Sequence, residues 1–411
     1  MKFASHSAFL PNLLALPISA SMMVCSLGSA NTAHADTIHD ALSAGTVTTD
    51  VRLRYEDVSQ DNAAIDADAL TFRTRLGYTS GAYEGFSFTV EMEDNRVVLG
   101  QGDYTVGPTG FNPGVYSVIA DPEFTELDQG FVQYKNQALT LKVGRQVITL
   151  DNHRFVGHVG WRQDRQTFDA ATVIYAPSKQ LKVQYSHIMQ RNRIFAEAAD
   201  LDSNDHLLNI SYSTSIGKFT GYAYLLEVDN MTNNVLDTYG VSFNGSSKIN
   251  DLGIKYALEY ATQSNENDIA EYDTSYLAAE VSTSISGINA KLGYEVLGSD
   301  DGNSAFATPL ATLHKFNGWS DQFLATPAQG LVDASFSLSS KVAAGNIIAV
   351  YHDYSADKSS APVDDLGSEI NVQYTTKLAG KYTLGIKYAD YNAKDIKVDA
   401  QKLWIWLATK F

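Results

Sequence analysis

The sequence predicts an all-β chain: a transmembrane, antiparallel, up-and-down β-barrel of about eighteen strands, with a water-filled lumen and both termini in the periplasm. Three observations carry this. Apolar residues recur with a period of two in segment after segment, and in several the opposite face carries charge or amide groups, the lipid-out, water-in pattern of a wet barrel. The links between segments alternate between short and long, as periplasmic turns and outer loops do; a two-layer sandwich has no reason to sort its loops by parity. Composition agrees: 44% of residues are hydrophobic and 19% charged, with 23 Tyr and 18 Phe, and beyond the leader no run approaches the roughly 18 apolar residues of a membrane helix.

The chain opens with a predicted secretory signal, Met1 to Ala35, in which an apolar region from Phe9 to Cys25 precedes a small-residue cleavage site at Ala33-His34-Ala35. Cys25 is the one cysteine and is expected to leave with the signal, so no disulfide stabilises the remainder. Residues 36–411 are expected to form a single barrel domain. Its first strand sets Val51, Leu53 and Tyr55 against Arg52, Arg54 and Glu56; the second sets Leu70, Phe72, Thr74, Leu76 and Tyr78 against Thr71, Arg73 and Arg75. The third sets Phe86, Phe88, Val90 and Met92 against Ser87, Thr89, Glu91 and Glu93. Fifteen further segments follow, and the full set is 46–58, 68–79, 85–94, 126–135, 138–149, 166–176, 179–190, 204–215, 218–229, 235–244, 248–261, 272–284, 287–298, 330–340, 345–355, 367–377, 380–391 and 400–411. In the last, Leu403, Ile405 and Leu407 alternate with Lys402, Trp404 and Trp406 up to the terminal Phe411. Short turns are expected near Gly81, Asn136, Pro177, Gly217, Gly245, Gly287, Ala344 and Gly380. The longest links, 95–125 and 299–329, are candidates to fold inward and narrow the lumen, or to stay as solvated surface loops.

Arginine is distributed unevenly: every one lies between Arg52 and Arg193. Arg52, Arg54, Arg73 and Arg75 are expected to face inward, and symmetric pairing of the first two strands would place Arg54 near Arg73. Like charges so placed are destabilising unless offset, and Glu56, Glu91 and Glu93 on the same inner faces are natural partners. Two readings stand: a ladder of ion pairs stiffening the wall, or a basic track whose guanidinium forks bind passing carboxylates.

A second constellation follows in Leu141-Lys-Val-Gly-Arg-Gln-Val147, Asn152-His-Arg-Phe-Val-Gly157 and Trp161-Arg-Gln-Asp-Arg-Gln-Thr-Phe-Asp169. Gly144-Arg145-Gln146, Arg154-Phe155-x-Gly157, Trp161-Arg162 and Thr167-Phe168-Asp169 resemble the signature of the alginate export family of outer-membrane porins. The resemblance implies an eighteen-stranded barrel and a constriction lined by Arg145, Arg154, Arg162, Arg165 and Asp169, with Lys142 beside them, that passes an anionic polysaccharide. Strict alternation, however, places Arg145 with Leu141 and Val143 on the lipid side, unless a bulge at Gly144 swings it inward or it lies beyond the membrane. Other anionic oligosaccharides and small organic acids fit as well as alginate.

The expected function is therefore passive diffusion of anionic solutes through an outer-membrane porin, with no enzyme activity, cofactor or metal. Ser186 and His187 are strand neighbours and point to opposite faces, so they cannot form a nucleophile–base pair. The rivals are a general or cation-preferring porin, motivated by the formal net charge of −17, and a non-conducting structural or adhesin barrel. The acidic balance argues against nucleic acid as a partner. The expected partners are outer-membrane lipid and lipopolysaccharide, an anionic carbohydrate or small organic anion as solute, and the barrel-assembly machinery acting on the strand that ends at Phe411.

Overall fold

The computed structural model describes residues 36–62, 64–106, 112–230, 234–250, 252–360 and 362–411; the expected signal lies outside them. A short helix, α1 (Ile38–Ser43), is capped by the Thr37 hydroxyl on the Asp40 amide and leads into the barrel. The strands are β1 (Thr46–Gln60), β2 (Ala67–Thr79), β3 (Phe86–Asp103), β4 (Phe124–Lys135), β5 (Leu139–Gln146), β6 (Thr167–Tyr175), β7 (Leu181–Asn192), β8 (Leu201–Ser213), β9 (Gly217–Glu227), β10 (Val235–Ile249), β11 (Leu252–Glu266), β12 (Glu271–Ile285) and β13 (Ile288–Leu297). A two-rung hairpin, β14 (Ser299–Asp300) and β15 (Ser304–Ala305), lies within the next loop. Then come β16 (Leu331–Val342), β17 (Gly345–Ser360), β18 (Val363–Leu378), β19 (Tyr382–Asn392) and β20 (Ala400–Lys410).

All strands except the small hairpin form one eighteen-stranded antiparallel sheet, closed where β1 pairs with β20 from Asp50 opposite Lys410 to Gln60 opposite Ala400. Closure removes the unpaired strand edges that a lipid phase could not satisfy. The two faces sort as the alternation predicts. Leu53, Phe72, Leu76, Val90, Leu258, Leu292, Tyr351, Ile386 and Ile405 are exposed on the outside, while Arg52, Arg54, Arg73, Arg75, Glu93, Trp404 and Trp406 are buried inside.

Each expected strand is present, but several boundaries move. No turn forms at Gly245: β10 runs on to Ile249 in register with β11, and the chain reverses at Asn250, which has φ +54°. The polar run Asn244–Ser247 loses nothing by staying extended, because the facing strand satisfies its backbone. The expected long links at 262–271 and 356–366 shrink to residues 267–270 and 361–362, since the flanking strands keep pairing, in unbroken register up to Glu266 opposite Glu271 and with register shifts up to Ser360 opposite Val363. The strict alternation of short and long links therefore fails at 361–362. Register also corrects the first hairpin: Arg52, not Arg54, lies opposite Arg73.

The lumen is only partly water-filled. Residues 147–166 and 298–330 fold inward and pair with each other: Val156 bridges Leu310, the Gly157 amide donates to the Leu310 carbonyl at 2.8 Å and the Thr312 amide to the His153 carbonyl at 3.0 Å. Phe155, Phe306 and Phe323 of these loops pack against inward-facing Tyr222, Tyr224, Tyr276, Tyr354 and Tyr391. The described part of the 104–123 loop packs Tyr104, Val106 and Ile119 on Val58, Ala67 and Ala69 of the wall. Both of the two longest links thus turn inward, 299–329 into the lumen and 95–125 through its described ends, where Ile119 lies on the inner wall and Asp121 meets Arg54, and the shorter 150–165 link joins them.

Candidate functional site: a braced constriction beside an open passage

The inward arginines meet the loops in three knots. In the first, Arg52 of β1 donates to the carbonyls of Trp161 (2.8 Å) and Arg162 (2.6 Å) and to Gln163 Oε1 (2.8 Å). Arg54 pairs with Asp121 of the 104–123 loop and with Glu56 at 3.2 Å. Arg162 spans Glu56 at 3.0 Å and Asp321 at 2.8 Å. Burial works against the charges here, yet the surrounding ions outweigh it. Arg54, Arg162 and the Gln163 amide hold Asp121 below the ordinary carboxylate range; the hydrogen bond from neutral His314, with the Lys402 and Arg162 charges, holds Asp321 well below it; Glu56, Asp321 and Asp121 raise Arg162.

The second knot resolves the like-charge pair across the first hairpin. Arg73 turns to Asp50 (2.5 Å), leaving Glu93 to Arg75 at 2.6 Å. Arg165 pairs with Asp128 and Glu91 of the wall, and it lowers His158 to about 4, with burial the larger cause. In the third knot Arg154 of the 147–166 loop donates to Glu295 (2.7 Å), Thr308 (3.3 Å) and Asn317 (3.0 Å), with its guanidinium 4.8 Å from the Phe316 ring centroid. A buried guanidinium needs this fork of acceptors, and each knot ties an inward loop to the wall or to its neighbour.

The arginines and glutamates expected inside are inside: Arg52, Arg54, Glu56 and Glu91 hold loops, while Arg73, Arg75 and Glu93 form ion pairs along the wall with Asp50. Arg145 and Asp169 are the correction. β5 pairs in unbroken register through Gly144, so no bulge forms and Arg145 stays on the outer side with exposed Val143. There it takes Asp169, its neighbour across the ladder, at 2.8 and 3.1 Å. Lys142 faces the lumen with its ammonium 4.6 Å from the Phe131 ring centroid. Ser186 bonds the Thr172 hydroxyl at 2.9 Å, while His187 stacks on His206 outside.

Opposite the first two knots and beside the third, the lumen stays open. A cavity of about 440 Å³ runs between the loop residues Asp151, Asn152, Lys315, Phe316 and Asn317 and the inner faces of β9–β13, β16 and β17. Small residues make the room: Ser242, Asn244, Ala257, Ala278, Gly293 and Ser335 stand where the other half of the wall carries arginine and tryptophan. Lys218, Lys291 and Lys315 line it, each on one acceptor: Asp151 at 2.8 Å, Glu280 at 2.7 Å and the Asn152 carbonyl at 2.7 Å. Glu259, Glu295 and Asp333 also line it, but they accept from Tyr222, from Arg154 and Asn317, and from Asn317 and His352 respectively. Sequence reasoning missed this lysine set. The inward parity of Lys218 and Lys291 was readable; the path of the loop that carries Lys315 was not.

A closed barrel with an apolar exterior, a polar interior and loops narrowing its lumen defines an outer-membrane channel. The alginate export family matches residues 45–276, more than half of the chain, and the chain belongs to that family. Solved outer-membrane barrels share its fold at low identity. OpdK of Pseudomonas aeruginosa superposes with TM-score 0.70 at 12% identity, covering 89% of this chain and 98% of that one. OccK9 (OpdG) of the same organism gives 0.69 at 14%, covering 90% and 100%. OccAB4 of Acinetobacter baumannii gives 0.68 at 13%, covering 90% and 98%. No curated protein sequence matches the chain significantly. Membership of that family places it in the bacterial outer membrane.

Proposed function

We propose that this channel passes narrow, carboxylate-bearing polar solutes, of which a uronate-type saccharide is the leading class, by passive diffusion down the open half of its lumen. The observation that carries this is the lysine set, half-buried Lys218 and Lys291 with exposed Lys315, on a wall of small residues facing Phe316. An arriving carboxylate replaces a carboxylate on Lys218 and Lys291 and a carbonyl oxygen on Lys315, so each step exchanges one acceptor for another and the solute leaves as readily as it enters. The Phe316 ring offers a sugar an apolar face. The arginine knots are spent on loops and set the width rather than the affinity. The family's name, alginate export, supports an acidic saccharide, and smaller organic acids fit the same chemistry. The outward apolar belt is then the lipid-contacting surface, and the strand ending at Phe411 the one the assembly machinery engages.

Five carboxylates line the same cavity, which favours a second reading: a cation-preferring channel. Reversal potential in a planar bilayer under a KCl gradient separates the two. Anion preference is expected, reduced in K218Q/K291Q/K315Q, with oligouronates blocking more strongly than neutral oligosaccharides of equal length. R73S/R75S is expected to change open-channel width more than ion sign. Cation preference in the unmodified protein, untouched by the lysine changes, overturns the anion reading; absence of any steady conductance leaves a structural barrel.

A further inference from the structure

One lysine has a setting unlike the three above. Lys387 of β19 is buried, and its ammonium lies 3.7 Å from the ring centroid of Trp161 and 4.4 Å from that of Trp319. Trp161 belongs to the 147–166 loop and Trp319 to the 298–330 loop, so one wall cation sits between rings from both. A desolvated ammonium over indole faces is strongly attracted by their quadrupoles. Its hydrogen bond goes to His314 Nε2 at 3.1 Å, and His314 Nδ1 meets Asp321 at 2.7 Å. With Lys387 donating to Nε2, the imidazole proton is on Nδ1, aimed at Asp321, which in turn takes Arg162.

The consequence for the channel follows from chain order. His314 and Trp319 bracket Lys315, Phe316 and Asn317, the segment that forms the loop side of the open passage. Lys387 grips that segment on both flanks from behind.

The geometry points to Lys387 as the latch that sets the passage's aperture, a positioning residue acting through His314, Trp319 and Trp161 without touching solute. The assignment is independent of which ion or solute passes. Without the ammonium, His314 Nε2 is left unbonded in a buried site, the slot between the two indoles has no cation, and both loops gain freedom at the same point.

The test is single-channel recording in KCl of the full-length refolded protein, with barrel integrity checked by heat-modifiable gel mobility. K387M fills similar space without charge; it is expected to raise the occupancy of higher-conductance levels about tenfold, as the loop-out state gains population. K387R keeps a cation over the rings and is expected to stay near the unmodified protein. W319L removes the ring from the loop rather than the wall, and so decides the matter if K387M fails to insert; it is expected to reproduce the widening. Folded K387M or W319L with unaltered conductance and noise overturns the assignment, as does K387R widening the pore as much as K387M.

Discussion

Arg162→Met tests whether the lumen arginines are braces or solute contacts. Arg162 makes hydrogen bonds of 3.0 and 3.1 Å to Glu56 and 2.8 Å to Asp321, all three side chains being buried. Removing one partner of a buried ion pair costs about 3–5 kcal/mol, mostly because the other charge is left uncompensated. Here each carboxylate keeps a second cation: Glu56 has Arg54 at 3.2 Å, and Asp321 has Lys402 at 3.2 Å beside His314. The cost therefore falls at the lower end, about 3 kcal/mol, and roughly 100-fold in the docked population of the 147–166 loop. Hydrogen exchange in detergent micelles reads this directly. The Gln163 amide, donating to Asp121 at 2.7 Å, and the Gln166 amide, donating to the His158 carbonyl at 2.9 Å, should exchange about 100-fold faster, with strand amides unchanged. R162K, which keeps the charge but loses the fork, should fall between. Unchanged loop protection together with lost anion selectivity would refute the brace and restore Arg162 as a solute contact.

Two further outcomes follow from the same geometry. Burial, reinforced by Lys387 and Arg162, lowers His314 from 6.5 to about 3 despite Asp321, so an undocked loop binds one more proton between those values; protection of the 298–330 loop should be full above pH 6.5, fall on acidification through that window, and fall less steeply in H314Q, equal slopes counting against the assignment. Gly144 has φ +122°, and a Cβ there would lie 2.2 Å from the Gly130 carbonyl oxygen; G144A should cost about 2–3 kcal/mol, read as a lower unfolding temperature on heat-modifiability gels, and an unshifted transition would contradict the close approach.

The strands were legible because the two-residue period is local. Each stretch such as Leu70–Tyr78 declares its two faces without reference to the rest of the chain, and closure of the sheet then decides only which face is lipid and which is lumen. That parity put Arg52, Arg54, Arg73, Arg75, Glu91 and Glu93 inside, and kept Arg145 outside against the pull of the motif. Boundaries drifted at Gly245 and at 356–366 because a polar, glycine-containing run pairs as readily as it turns once its neighbours are in register. Register itself was not local: it put Arg52, rather than Arg54, against Arg73.

The site was legible in composition but not in pairing. Tertiary structure alone decided that Asp121 meets Arg54, that Arg154 reaches Glu295 and Asn317, and that Lys387 lies between Trp161 and Trp319. In each pairing a wall residue meets an irregular loop tens to hundreds of residues away, whose course through the lumen is set by where buried charges find acceptors, and no periodicity encodes that. The sequence by itself determined a closed, lipid-embedded wall with Arg52, Arg54, Arg73 and Arg75 turned inward; which part of the lumen those arginines fill, and so where room remains, was decided by how the loops fold onto them.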